Sequence, residues 1–496
     1  MNISPQRRIF NNPSKPNIYR LFLWLVLILA ALWVIYGVNQ NHIARIGEPT
    51  PTSTRSADSY ASEGDAFFAA GELHAAISAY QNAVKADPRD AQVWARMARI
   101  QTYSSALTTS DAERDAALRA ALVSANQANT LAPDDSDVAA IRSFVLDWNA
   151  SVAPGDQREA LLLQAELAAS HARQLDNKNV LALAYNAEIL IDQQKFAQAE
   201  QYITQAQNAS SVQLMDVHRV YAYLFESKGD YNNAIQEYEK AIQLAPNMTF
   251  LYLFEGANYR TLAIAADSVP TQQKKLYLQS LDLFAQAAQI DTTLGVKDPI
   301  PYLSIAKTYS QMGDYFFAGR NVLKALKFRP NDPDIYGQLG IIFFKSRNYE
   351  GAQLALQCAV SGCTPQQSCD ARNGCDADES GVQVKGLVLS PSSLVYYYIY
   401  ASDLAALSRP SKNYCPDALP IFKQLRAYPY GQDADGQSLK KTVLKIVTEN
   451  ETICNSIGLP TLIPGKSTPG TPGTPSATPR VPPTMTPTLT PTPTSS

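Results

Sequence analysis

Residues 215–248 read MDVHRVYAYLFESKGDYNNAIQEYEKAIQLAPNM. Tyr221, Ala222 and Phe225 recur at helical spacing, Gly229-Asp230-Tyr231 breaks and restarts the chain, and Ala234, Tyr238 and Ala241 form a second stripe that Pro246 ends. The stretch predicts two helices and a turn. Small residues at 222, 234 and 241 let the helices approach closely, and aromatics at 225, 231 and 238 fill the space beside them. One such pair cannot bury its own apolar face, so a neighbour must stack on it, and the expected architecture is a solenoid.

The unit returns along the chain. Residues 57–90 carry Tyr60, Gly64, Phe67, Gly71, Ala76, Tyr80, Ala83 and Pro88 in the same frame, and 299–332 carry Tyr302, Ala306, Tyr309, Gly313, Ala318, Ala325 and Pro330. Between and after them lie 91–135, 136–179, 180–214, 249–298 and 333–362, three of which are lengthened. The second is 11 residues longer than 34, with its insertion between the helices, where Ser110 and Glu113 have capping-box spacing. These units resemble the tetratricopeptide repeat, with Gly/Ala at position 8, aromatics at 11 and 24, Ala at 20 and 27, and Pro at 32. The resemblance covers about three quarters of the chain. It implies an all-α fold, a right-handed α-solenoid of about eight to nine helix-turn-helix repeats.

Residues 1–20 are polar and basic, with Arg7, Arg8, Lys15 and Arg20, and are followed by Leu21–Val38, 18 residues without a charge. At about 1.5 Å per residue this run reaches roughly 27 Å, so it reads as a transmembrane helix that is too long for a signal-peptide core and lacks a small-x-small cleavage site. The basic flank places the N-terminus in the cytoplasm and everything after residue 40, most of the linker 39–56 included, outside it. Net charge is only −3, which removes the broad attraction to phosphate that nucleic-acid binding uses.

Beyond 362 the texture changes. Residues 363–391 form a Cys-containing insertion in which Val382–Leu389 alternates enough for a small hairpin, and 392–459 read as a degenerate ninth pair and a capping helix. The Thr/Pro-rich tail, 460–496, has almost no apolar residues and is expected to be disordered. All six cysteines, at 358, 363, 369, 375, 415 and 454, lie in the last third; extracytoplasmic placement favours disulfides, of which 15 pairings are possible. A helical-hairpin count brings Cys415 and Cys454 to about the same level, so that pair is expected to clamp the cap. The intervals among the first four lack a C-x2-C knuckle. Asp376-Ala377-Asp378 starts like a calcium loop but Leu387 stands where the bidentate Glu belongs, and Gly465-Lys466-Ser467 lacks the first Gly of a phosphate loop. No metal or cofactor is expected. Asn149, Asn208, Asn247 and Asn450 begin glycosylation sequons, and the histidines at 42, 74, 171 and 218 are dispersed.

No nucleophile, base and orienter cluster appears and no segment outside the repeats is large enough for a catalytic domain, so an enzyme is not expected. The resemblance implies a scaffold that binds a protein or extended peptide along the concave face, mainly through positions 2, 5, 9, 12 and 13 of each first helix. Carried over residue by residue, that face comprises Arg99, Tyr103, Asp147, Trp148, Tyr185, Glu188, Asp192, Arg219, Tyr223, Glu226, Arg260, Lys307, Phe344 and Lys345. Tyr103, Trp148, Arg219 and Tyr223 are expected to share one partly exposed surface. The alternative is an accessory subunit or structural spacer of an envelope assembly.

Overall fold

The computed structural model describes residues 17–39, 55–209, 214–375 and 379–457. The calcium-like residues Asp376–Asp378 and the Thr/Pro tail therefore lie outside the described residues. Two compact units emerge, residues 1–56 and 57–496. In the first, α1 (Ile18–Asn39) is a 22-residue helix whose described apolar side chains are exposed. Among the described residues no helix is long and apolar enough to cross a membrane. The span expected over Leu21–Val38 includes Val34, Ile35, Gly37 and Val38, whose side chains lie outside the described residues.

Among the described residues the regular elements of the second unit are all helices. Its elements are α2 (Ala57–Ala70), α3 (Leu73–Ala86), α4 (Ala91–Ser104), α5 (Asp111–Leu131), α6 (Ser136–Val152), α7 (Gly155–Leu175), α8 (Val180–Asp192), α9 (Phe196–Ala209), α10 (Met215–Ser227) and α11 (Tyr231–Leu244). Then come α12 (Thr249–Ala265), α13 (Pro270–Leu294), α14 (Ile300–Gln311), α15 (Tyr315–Phe328), α16 (Pro333–Lys345) and α17 (Tyr349–Val360). The chain closes with α18 (Pro365–Ala371), α19 (Leu394–Leu407), α20 (Cys415–Ala427) and α21 (Ala434–Ser456). Consecutive helices pack as antiparallel pairs from α2–α3 to α16–α17, with α19–α20 as a further pair.

Local chemistry explains the boundaries. Asp90, Asp135, Asn179, Asp230, Asp332 and Asn348 each accept a backbone N–H of the first turn they precede, satisfying one of the donors a helix start leaves free. The small residue at position 8 has a packing cause: a Cβ on Gly64 or Gly256 would stand 2.7 or 2.5 Å from the ring of Tyr80 or Phe284 in the second helix of the same pair. The pair closes because that side chain fills the space.

The first helices α4, α6, α8 and α10 pack directly on one another, whereas α12 and α14 barely touch. Curvature is therefore tight through repeats two to five. It is tight enough that the chain meets itself. A Cβ at Gly71, in the turn between α2 and α3, would stand 2.1 Å from the carbonyl oxygen of Asn247, and the ring of Tyr103 on α4 stacks on Phe250 of α12 at 5.0 Å.

Two expectations in the C-terminal part meet different outcomes. Val382–Leu389 forms no hairpin: Val384 makes one antiparallel bridge to Cys363, and the Leu387 N–H donates to Ala359 O, so this segment spends its backbone donors on the end of α17. Disulfides join Cys358 to Cys363, Cys369 to Cys375, and Cys415 to Cys454, the last with its Cα atoms 5.4 Å apart. That bridge fastens the end of α21 to the start of α20. The sequon residue Asn149 is buried and donates to Leu118 O and Val145 O, which leaves no amide free for a glycan.

Replacing both Cys415 and Cys454 with Ser opens a loop of 39 residues. A stabilisation of about 3 to 4 kcal/mol should be lost locally. Hydrogen exchange should accelerate in α21 and leave α4 to α10 unchanged, because the cap touches only the last pairs.

Candidate functional site

The first helices carry fourteen expected inner-face residues, and the structure divides them into two groups. Through repeats two to five they bind one another. Asp216, at the start of α10, is buried, and Arg99 of α4 forms an ion pair with it. The Tyr103 hydroxyl donates to the same carboxylate, as does the Tyr185 hydroxyl at 2.7 Å, while Arg99 Nε also reaches the Tyr185 oxygen at 3.0 Å. Burial raises the Asp216 pKa, but Arg99 and the two hydroxyls outweigh it and hold the carboxyl below its usual value. Sequence reasoning missed Asp216, although it occupies position 2 of the fifth repeat and so stood among the inner-face positions.

A second cluster lies alongside. Arg219 of α10 pairs with Glu188 of α8 through two hydrogen bonds of 2.7 and 2.6 Å, and Trp148 Nε1 donates to the same carboxylate at 3.0 Å. The guanidinium also lies 5.5 Å from the Tyr103 ring and 5.4 Å from that of Phe144. Tyr223 donates to Asp192 at 2.5 Å. Asp147 is buried with Oδ1 unpartnered; burial, then Asp192 and Glu188, push its pKa well above the usual carboxyl range. Asp192 is pushed up to about 6 by burial and Glu188, against the pull of the Tyr223 hydroxyl. Both shifts are upward, so the contribution of each to stability is full below the ordinary carboxyl range and falls as pH rises above it, that of Asp192 being lost through about 6.

Tyr103, Trp148 and Arg219 thus lie against one another, but Tyr103 and Arg219 are 0 % and 3 % exposed. The expectation of partial exposure fails for these two, and Asp147, Tyr185 and Glu188 are buried with them. The cause is the tight coil, which lays α4 against α10 and α12 and fills the groove with the chain's own side chains. Glu226 is half-buried and accepts from the Tyr238 hydroxyl at 3.1 Å.

The later repeats differ. Arg260 of α12 reaches Ser304 O and Thr308 Oγ1 at 3.3 and 3.4 Å and lies 5.2 Å from the Phe284 ring. Its pKa is pushed down to about 10 by burial. Lys307 of α14 is solvent-exposed, yet its pKa is lowered by desolvation and then by Arg260. Lys345 of α16 is half-buried beside Phe344 and is lowered by desolvation. None of these three cations has a carboxylate partner among the described residues. No group of three or more His, Cys, Asp or Glu side chains there could hold a metal ion.

Tetratricopeptide-repeat family profiles match residues 57–100 and 220–248. No curated protein matches the chain. Similar solved structures include a thermophilic TPR protein in Thermus thermophilus, at 18 % identity over 41 % of this chain and 98 % of that one, with a TM-score of 0.34. A human IFIT1 dimer with m7Gppp-AAAA is similar at 15 % identity over 80 % of each chain and a TM-score of 0.46. YrrB, a TPR protein with an unusual peptide-binding site, is similar at 16 % identity over 42 % of this chain and 95 % of that one, with a TM-score of 0.28.

Glu188→Ala leaves Arg219 buried without its counter-charge and should lower stability by about 3 to 5 kcal/mol. Replacing both residues with Met should be much closer to neutral. Thermal and denaturant melts of the helical circular-dichroism signal measure both; equal losses in the two variants would show that the charge pairing is not the cause.

Proposed function

We propose that this chain is a membrane-anchored, extracytoplasmic scaffold that holds an acidic, extended protein segment along α12, α14 and α16. The carrying observation is the unpaired charge there: among the described residues Arg260, Lys307 and Lys345 face no carboxylate, while the inner-face charges of the earlier repeats are consumed by one another. Phe344 adds an apolar contact beside Lys345. A cationic row with an aromatic neighbour suits several modest contacts to an extended backbone instead of one deep pocket. The tetratricopeptide-repeat matches support a protein-interaction role.

Anchoring rests on α1 and its flanks. Its 22 residues extend about 33 Å, the run Leu21–Val38 carries no charge, and the basic residues cluster before it. Three disulfides agree with an oxidising compartment. Since no free cysteine remains among the described residues, protease and not a thiol label is the informative probe of topology.

Two experiments test the reading. Protease added to intact cells should digest the repeat unit and spare an N-terminal epitope; digestion only after permeabilisation would overturn the topology. Selection of random extended peptides on the full chain should enrich Asp and Glu, with affinity falling as salt rises. The combined variant R260A, K307A, F344A and K345A should lose at least about tenfold in affinity while keeping its helical signal. Equal binding by that variant would place the partner elsewhere.

A further inference from the structure

The turn between α4 and α5 is the lengthened part of the second repeat, and it does not project into solvent. Ser105–Leu107 forms a 3-10 turn, and Leu107 packs against the apolar cluster of Tyr252, Phe284 and Ile305 in the sixth and seventh repeats. The Thr109 hydroxyl then donates to the Asp332 carboxylate at the start of α16, and Glu113 forms an ion pair with Arg329 at the end of α15. These contacts join residues 223 and 216 positions apart. A regular 34-residue unit would have no chain to span that distance.

The geometry points to a clasp: the insertion of the second repeat grips the junction of the seventh and eighth and holds the first turn of the superhelix shut over its own inner face. What it covers is the surface of Tyr103, Trp148, Glu188 and Arg219, whose residue types match those of a tetratricopeptide groove but which are occupied internally. The clasp is built to release. Arg329 and Glu113 are each about a third exposed or more, 35 % and 38 %, so their pairing is screened and modest, and the one buried acceptor, Asp332, is held by a single hydroxyl across the gap. Opening it would separate α4 from α12 at the Tyr103–Phe250 stack and present a second stretch of inner face. This inference does not depend on which ligand the later repeats bind.

The test uses the full chain in detergent micelles and hydrogen exchange resolved by segment. Arg329→Glu sets like charges against each other, and Thr109→Val removes the hydroxyl. Each should speed exchange about tenfold in α4 and in the first turns of α12, with the helical signal retained and exchange in α19 to α21 unchanged. The reciprocal variant E113R with R329E should return exchange toward that of the parent. Exchange in α4 and α12 that is unaltered by both single variants overturns the clasp, as does a charge swap that restores nothing. Should R329E lose its helical signal, Thr109→Val decides alone: faster exchange supports the clasp and unchanged exchange overturns it.

Discussion

A carboxylate at 1 % exposure, as Asp216 is, has lost the water that would solvate it, and it stays ionised only where cations and hydroxyls are brought to it by the fold. Here they come from two other repeats: Arg99 and Tyr103 from the second, Tyr185 from the fourth. Meeting that requirement sets how sharply the array bends, because the donors converge on one side chain only when α4, α8 and α10 lie against a common centre. The Glu188–Arg219 pair repeats the constraint one helix layer further along.

The same constraint divides the inner face by how its charges are partnered. Where curvature is tight, the groove side chains are partners of each other; where α12 and α14 part, Arg260 and Lys307 lack a carboxylate among the described residues, and desolvation, then Arg260, lowers the pKa of Lys307. Free charge is costly in a recess and is tolerated best where a ligand can neutralise it.

Much of the fold was legible because a repeat advertises its nearest-neighbour contacts. Gly64 and Gly256 are small since Tyr80 and Phe284 lie against them, and such pairs recur at fixed spacing. The Cys415–Cys454 bridge follows from counting along a hairpin. Superhelical pitch leaves no comparable mark: that Gly71 meets Asn247, or Thr109 meets Asp332, depends on small rotations accumulated over many repeats. Hence the inner-face positions could be named from sequence while their burial could not. Val382–Leu389 shows another limit, since alternation marks an extended segment without saying whether it pairs with itself or with the end of a helix.

The meeting of the second repeat with the fifth, sixth and seventh also changes how such a chain comes apart. An open solenoid is a one-dimensional stack in which each unit leans only on its neighbours, so it can fray from an end or be shortened unit by unit. Here removing the first two units would strip Asp216 of Arg99 and Tyr103 and bare a charge in the middle of what remained. The interactions form a loop and not a line. A cut between the early repeats therefore breaks contacts made far along the chain, and a fragment does not inherit the stability of its share.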